Sequence, residues 1–232
     1  MREKEIRATS VLEKVEFDAP PCYNTGMQNF TDVLAELARL YPDARPALKF
    51  QNEYELLIAV ILSAQCTDER VNKVTAELFK EHGTPQTMLQ LTQEELEKFI
   101  FSCGLYKSKA AHILSATRDI VEKFDGKVPS DFNQLKSLAG VGQKTANVVY
   151  SVAFGGDAIA VDTHVFRVAN RLGLAKGDTP FKVEEGLKKA IPKEDWSKAH
   201  HWLIFHGRRV CHSRKPDCDN CTLKNRCAYF NK

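Results

Sequence analysis

The stretch Leu138-Ala139-Gly140-Val141-Gly142-Gln143-Lys144-Thr145-Ala146 sets two glycines between two helix-forming segments. The segment before it has apolar residues at helical spacing after Ser130, the expected helix N-cap. The segment after it is rich in alanine and valine, and we expect a helix from about Gln143. Because glycine allows positive φ and close backbone approach, the pattern predicts a helix, a tight turn and a second helix. Free amides at the start of the second helix, together with its dipole, suit a phosphate.

A lysine and an aspartate close to this turn are candidate functional residues. Lys144 falls in the first turn of the second helix, where a cation costs about 0.3–1 kcal/mol against the helix dipole. A solvated surface lysine is the simplest interpretation, but a residue that breaks a local rule without compensation suggests function. Asp162 follows in Ala160-Val161-Asp162-Thr163-His164, where it is also expected to cap the helix beginning at Thr163.

The composition is that of an ordinary globular protein. The chain has 232 residues, of which 43% are hydrophobic and 27% are charged, enough for one large domain or two small ones. The net charge of +3 alone does not indicate nucleic acid, but residues 200–232 hold seven Lys or Arg against two Asp or Glu. No apolar run reaches membrane-spanning length, and the N-terminus is too charged for a secretory signal. We therefore expect a cytoplasmic protein without membrane contact.

The pattern along the chain predicts an all-α protein. Residues 1–27 are expected to be a partly ordered extension, because they mix charges with a Pro-Pro break and show no apolar face. Later apolar residues recur at helical spacing, and no credible run of alternating strands occurs. The expected helices start near Phe30, at Tyr54, after the caps Thr67, Thr84 and Thr92, after Ser108, Ser130, Gly142, Asp162 and Thr179, and at Trp196; the Thr92 helix should stop at Gly104.

Four of the seven cysteines form the pattern Cys211-x6-Cys218-x2-Cys221-x5-Cys227. Without a secretion signal a disulfide framework fits poorly, whereas a metal site fits well. A zinc ion and an iron–sulfur cluster both accept four thiolates, so ligand type leaves the two open and the generic spacing slightly favours zinc. The other three cysteines are expected to be plain residues, and two of them, Cys66 and Cys103, to be buried.

Two sequence segments carry a resemblance to a known family. They are residues 138–149, Leu-Ala-Gly-Val-Gly-Gln-Lys-Thr-Ala-Asn-Val-Val, and residues 161–168, Val-Asp-Thr-His-Val-Phe-Arg-Val. Together they resemble the endonuclease III family of the helix-hairpin-helix (HhH-GPD) DNA glycosylases, over about residues 27–229. The resemblance implies a monomeric base excision repair enzyme that acts on double-stranded DNA with damaged bases or abasic sites and is nucleoid-associated when bound. Such an enzyme removes oxidised pyrimidines through a lysine Schiff base and cleaves 3′ of the abasic site by β-elimination.

The resemblance also implies roles for individual residues. Lys144 becomes the nucleophile, and Asp162 accepts its proton or stabilises positive charge on the sugar. An ordinary lysine is protonated at neutral pH, so we expect desolvation in a closed cleft to free its amine. The 6-2-5 cysteine spacing resembles the cluster motif of the family, so the resemblance implies a 4Fe-4S cluster bound by Cys211, Cys218, Cys221 and Cys227. The implied DNA-contact residues are Gln65, Leu105, Gly140, Val141, Gly142, Thr145, Arg214 and Lys215.

Plainer interpretations of these contact residues exist. Gln65 would otherwise be the C-cap of a helix, and Leu105 an exposed loop leucine. Arg214 and Lys215 would otherwise only balance an anionic cluster.

The implied layout has two helical domains with a cleft between them. Residues 49–156 are expected to form a six-helix barrel with the helix-hairpin-helix at about 131–150. Residues 28–48 and 157–232 are expected to form the cluster domain, because the helices at both chain ends need partners for their apolar faces. Lys144 and Asp162 would then face each other across the cleft.

Two other functions are compatible with parts of the pattern. An adenine-mismatch glycosylase shares hairpin, aspartate and cluster, but it lacks a lysine at the position of Lys144. A non-catalytic DNA-binding or redox-sensing cluster protein has no need of both Lys144 and Asp162. The presence of both residues favours the glycosylase and lyase.

Overall fold

The computed structural model describes residues 25–231, with side chains from residue 30 onward. Within this part eleven α-helices and two short 3₁₀ turns make up the regular structure, and no strand is present. The helices are α1 (Thr25–Leu40), α2 (Glu53–Leu62), α3 (Asp68–His82), α4 (Pro85–Met88), α5 (Gln93–Ile100), α6 (Tyr106–Lys123), α7 (Phe132–Ser137), α8 (Gln143–Phe154), α9 (Thr163–Leu172), α10 (Pro180–Ala190) and α11 (Trp196–Arg209). The all-α prediction is confirmed. Residues 1–24, most of the predicted extension, lie outside the described residues.

Helix α2 is the centre of a first hydrophobic core. Nine of its ten residues are buried, because its sequence is apolar on every side. The Asn52 side chain caps it by accepting a hydrogen bond from the Glu55 amide at 2.8 Å. The buried Glu55 carboxylate in turn accepts from the Gln51 amide at 2.7 Å. Side chains from α3 to α8 surround α2, so this core extends from residue 54 to residue 149.

A second core joins the two ends of the described chain. Val33 and Leu37 of α1 pack with Val168 of α9, Leu187 of α10 and Leu203 of α11, all essentially inaccessible to solvent. Burying such aliphatic side chains contributes about 1.5–3 kcal/mol each. The two cores support the division into residues 49–156 and residues 28–48 with 157–232, whose boundaries remain a prediction.

Two predicted helix caps are wrong. The helix expected after Ser108 begins at Tyr106, and its N-cap position is Leu105, which has a left-handed backbone and no side-chain cap. The hairpin helix is capped by Asp131 rather than Ser130, because the Asp131 carboxylate reaches two amides at 2.9 Å. The starting residue of each helix depends on how the preceding loop turns, which the local pattern does not reveal.

Two smaller expectations also need correction. Helix α5 ends at Ile100, and residues 101–104 form turns rather than helix up to Gly104. Cys103 is fully buried as expected, whereas Cys66 is only partly buried. In residues 25–231 no helix is long and apolar enough to span a membrane.

Candidate active site

The predicted hairpin joins α7 to α8. Gly140 has φ 76°, and a Cβ on it would lie 2.9 Å from the Cβ of His112, so both backbone and space require glycine. Val141 is buried and its amide donates to the Leu138 carbonyl at 3.1 Å, which anchors the turn in the first core. Gly142 is the N-cap of α8 and supplies no side-chain cap, and open space surrounds the position of its absent Cβ. The turn therefore leaves the N-terminal amides of α8 accessible to an anion.

Lys144 and Asp162 line one cavity of about 100 Å³. Lys144 is exposed in the first turn of α8, and Asp162 is partly buried at the start of α9. The same cavity is lined by His200, His201 and Arg208 of α11. The cleft thus combines an amine from a helix of the first core with a carboxylate from a helix of the second.

Asp162 has a fixed orientation. Its Oδ1 accepts a hydrogen bond from the Val165 amide at 2.7 Å and so caps α9, as predicted. Its other oxygen accepts no hydrogen bond from the part of the chain that the structure describes, and no ion pair within 4.0 Å joins Asp162 to Lys144 there. One carboxylate oxygen is therefore committed to the helix, while the other is free for a ligand in the cleft.

Two histidines of the cleft were not predicted. The Nδ1 of His200 lies 2.8 Å from the Ala160 carbonyl oxygen, which can only accept, so Nδ1 carries the hydrogen. Burial lowers the pKa of His200 against the opposing effect of Asp162, and burial lowers the pKa of His201 to about 3. Both imidazoles are neutral at pH 7 and add no positive charge beside the carboxylate. The adjacent His-His pair in an amphipathic helix is the sequence signal that could have identified these two residues.

Gln65 and Leu105 lie on two loops that touch. A Cβ on Gly104 would be 3.4 Å from the Gln65 carbonyl oxygen. Both side chains are exposed, and both residues have a left-handed backbone, with φ 54° and 59°. For residues with a Cβ this conformation costs roughly 1–2 kcal/mol, and such strain concentrates at functional sites. Because Ser63 is the C-cap of α2, Gln65 is not a helix cap.

Polar contacts connect the two cores beside the cleft. Arg208 of α11 donates to Asp68 at the start of α3 over 2.6 Å. Gln143, the residue before Lys144, donates to the buried Glu184 of α10 over 3.1 Å. Their partners are too distant in sequence for a pattern to reveal, so neither contact was predicted.

The four clustered cysteines line a second, small cavity of about 20 Å³. Arg171 of α9 donates to the Cys211 sulfur at 3.4 Å and to the His212 carbonyl oxygen at 2.6 Å, while the Cys227 thiol donates to the Arg171 carbonyl at 3.2 Å. Among residues 25–231 no group of three or more His, Cys, Asp or Glu side chains converges on one metal ion. The four thiols share the lining of this cavity.

Arg214 and Lys215 lie at the exposed edge of this loop. Lys215 has a left-handed backbone with φ 50°. Within the described residues neither cation takes part in an ion pair or a side-chain hydrogen bond, so both are available to a polyanion.

Known proteins resemble the chain over most of its length. Residues 58–193 match the HhH-GPD superfamily of base excision DNA repair proteins. The chain is 50% identical over 189 residues to endonuclease III of Rickettsia conorii, covering 82% of this chain and 90% of that protein. It is 47% identical over 201 residues to endonuclease III of Escherichia coli K12, covering 87% and 95%.

A solved structure agrees with these relatives. A trapped endonuclease III–DNA covalent intermediate matches with a TM-score of 0.85 and 48% identity, covering 90% of this chain and 98% of that chain. The resemblance predicted from the hairpin is confirmed, and the two rival functions are not favoured. The chain belongs to the endonuclease III family of the HhH-GPD superfamily, and it is a DNA glycosylase and AP lyase of base excision repair.

Proposed function

We propose that Lys144 is the nucleophile of this enzyme and that Asp162 is its proton acceptor and charge stabiliser. The observation that carries the proposal is the shared cleft, in which an exposed amine and a carboxylate with one uncommitted oxygen meet. The related endonuclease III that was trapped covalently on DNA supports a covalent intermediate here too.

The reaction follows from these two groups. A target nucleotide must leave the base stack before an amine can reach C1′. Lys144 Nζ then forms a bond to C1′ as the glycosidic bond breaks, and the electron pair of that bond leaves with the base. Asp162 stabilises positive charge on the sugar and accepts a proton from the attacking nitrogen. The C1′–O4′ bond then breaks and O4′ takes a proton, so the sugar ring opens and an imine forms between Nζ and C1′. This imine acidifies the neighbouring C2′ position, and β-elimination then breaks the C3′–O bond, with the 3′ phosphate as the leaving group.

The amine of Lys144 must lose its proton before it attacks. Because Lys144 is exposed in this structure, burial cannot act on it until DNA covers the cleft. DNA that seats on the hairpin excludes water from the amine and disfavours its charged form. The nearby end of the α8 dipole acts in the same direction. Binding and activation of the nucleophile are therefore coupled in this proposal.

We propose that two surfaces hold double-stranded DNA. One comprises the hairpin residues Gly140, Val141, Gly142 and Thr145, whose amides suit a phosphate at the start of α8. The other is the free basic pair Arg214 and Lys215. The exposed, strained Gln65 and Leu105 would fill the gap that an extruded nucleotide leaves, with Leu105 as an apolar wedge.

We propose that Cys211, Cys218, Cys221 and Cys227 hold a 4Fe-4S cluster. Zinc would require all four sulfurs about 2.3 Å from one point. A 4Fe-4S cluster would bind four thiolates, and these four thiols line the same cavity. When bound, the cluster supplies a covalent cross-link among the four cysteines. The loop between Cys211 and Cys218 would then present Arg214 and Lys215 from a rigid support.

The finer assignments are also proposals. Oxidised pyrimidines are the proposed damaged bases, abasic sites are the proposed lyase substrate, and the enzyme is proposed to act as a monomer. We also propose a cytoplasmic location, with association to the nucleoid when the enzyme is bound to DNA.

A panel of duplexes tests these assignments, each with one oxidised pyrimidine, oxidised purine, mismatched adenine or abasic site. Base release and strand scission are measured separately. We expect release from oxidised pyrimidines and scission at abasic sites. Release of mismatched adenine without scission would contradict the proposal.

A further inference from the structure

Two cysteines outside the cluster motif lie against each other. Cys103 is fully buried in the first core, and Cys66 packs partly exposed against that core. Cys66 packs against the same core that contains Cys103, both are free cysteines, and the Cys66 thiol is close enough to raise the pKa of the Cys103 thiol. One thiol is therefore accessible to small solutes, and its neighbour is held beside it out of solvent.

The pair lies at the base of the two loops that carry Gln65 and Leu105. Cys66 directly follows Gln65, and only Gly104 separates Cys103 from Leu105. The loops already touch, since a Cβ on Gly104 would meet the Gln65 carbonyl oxygen at 3.4 Å. A bond between the two sulfurs would thus fix the spacing of the two loops.

The Cys66 and Cys103 thiols have different surroundings, which give them different roles. Lys109 is buried next to both and donates to the Leu62 carbonyl oxygen at 2.8 Å. Burial and the Cys66 thiol raise the pKa of Cys103 to about 11, although Lys109 and Arg70 oppose the shift. Cys103 therefore remains a protonated thiol in the resting protein. Cys66 is the more exposed of the two thiols and is therefore the one that a small solute reaches first.

We propose that Cys66 and Cys103 form a peroxide-sensitive dithiol, a modification site distinct from the cluster. The Cys66 thiolate attacks a peroxide, the O–O bond breaks, and Cys66 becomes a sulfenic acid as hydroxide leaves. The Cys103 thiol then attacks the Cys66 sulfur, the S–O bond breaks, and water leaves. The two thiols lose two electrons in total, the peroxide gains them, and a disulfide remains.

The consequence for activity rests on the proposed wedge roles of Gln65 and Leu105. The disulfide prevents the two loops from separating when DNA enters between them. We therefore expect the oxidised enzyme to release bases from duplex DNA more slowly, and reduction by a thiol to restore the rate.

Peroxide titration of the full, cluster-containing chain tests the dithiol itself. Iron content is followed throughout, and unreduced protein is digested and mapped by mass spectrometry. We expect a cross-linked peptide pair containing Cys66 and Cys103, short of two hydrogens and released by dithiothreitol. Cys66→Ser and Cys103→Ser should each abolish the cross-linked peptide pair. If Cys103→Ser folds poorly because Cys103 is buried, Cys66→Ser alone tests the proposal, since Cys66 is partly exposed. The proposal is overturned if both thiols remain reduced under peroxide. It is also overturned if Cys66 is oxidised beyond the sulfenic acid without forming the cross-link.

Base release before and after oxidation tests the consequence separately. A cross-link that forms with no change in base release overturns the link to the wedge. Failure of the proposed function has a different signature, because reduced wild-type protein would then lack base release and scission whether or not the cross-link forms.

Discussion

The Asp162 carboxylate accepts the Val165 amide at 2.7 Å through Oδ1, so the side chain that faces the cleft also caps α9. A structural role and a proposed catalytic role therefore meet in one residue. Two substitutions separate them, because asparagine keeps an acceptor oxygen and alanine does not.

Asp162→Asn should fold and bind abasic duplex DNA at least as well as the wild type, because the amide still caps α9 and no longer repels phosphates. Single-turnover scission should fall by roughly 10²–10⁴-fold through loss of the charge stabiliser and base. Asp162→Ala should in addition lose about 1 kcal/mol of unfolding free energy, measured in urea. Full activity of Asp162→Asn would reduce the aspartate to a helix cap.

Substitutions of Leu105 also separate an effect on stability from an effect on function. Glycine relieves roughly 1–2 kcal/mol of left-handed strain at φ 59°, but it costs about 0.5–1 kcal/mol of unfolded-state entropy. Leu105→Gly should therefore leave the unfolding free energy unchanged or raise it by up to about 1.5 kcal/mol, while slowing base release from duplex DNA. Leu105→Ala is the matched control that removes the apolar wedge but keeps the strain. Normal base release in both variants would rule out the wedge.

The basic pair on the cysteine loop should contribute to salt-dependent binding. Arg214→Gln with Lys215→Gln should flatten the slope of log K against log salt by about two, because two phosphate contacts are lost. Lesion preference should hardly change, since phosphate contacts carry no sequence information. The control is Arg39→Gln with Lys80→Gln, whose cations are already paired with Glu36 and Glu77. An unaltered slope in the Arg214 and Lys215 variant would mean that the loop faces away from DNA.

The cluster assignment predicts yellow-brown protein with about four irons, each thiolate binding one. Cys218→Ser should lose iron and destabilise the second core, because cluster binding and local folding are coupled. Cys66→Ser should retain its iron, since Cys66 packs against the first core. Metal analysis that returned one zinc and no iron would contradict the assignment.

Local chemistry made much of this structure predictable. The caps Thr67, Thr84, Thr92 and Asp162 were found because each accepts a hydrogen bond from the amide three residues later. Ser108 failed as a cap because a left-handed Leu105, held beside another loop, starts α6 earlier. His200 and the Asp68–Arg208 ion pair were missed because only the packing of α11 on the cleft brings them near Asp162 and α3. A sequence pattern predicts contacts between residues that are close in the chain, whereas these contacts beside the cleft form between helices that are distant in the chain.

Borohydride trapping on an abasic duplex tests the central claim about Lys144 most directly. If Lys144 attacks C1′, an imine exists during turnover, and borohydride converts it to a stable protein–DNA cross-link that peptide mapping locates at Lys144. Lys144→Gln should lose this cross-link and strand scission, yet still bind the duplex through the hairpin amides, as a binding titration would record. A Lys144→Gln protein that still formed the borohydride-trapped cross-link would contradict the claim and assign the nucleophile to another residue.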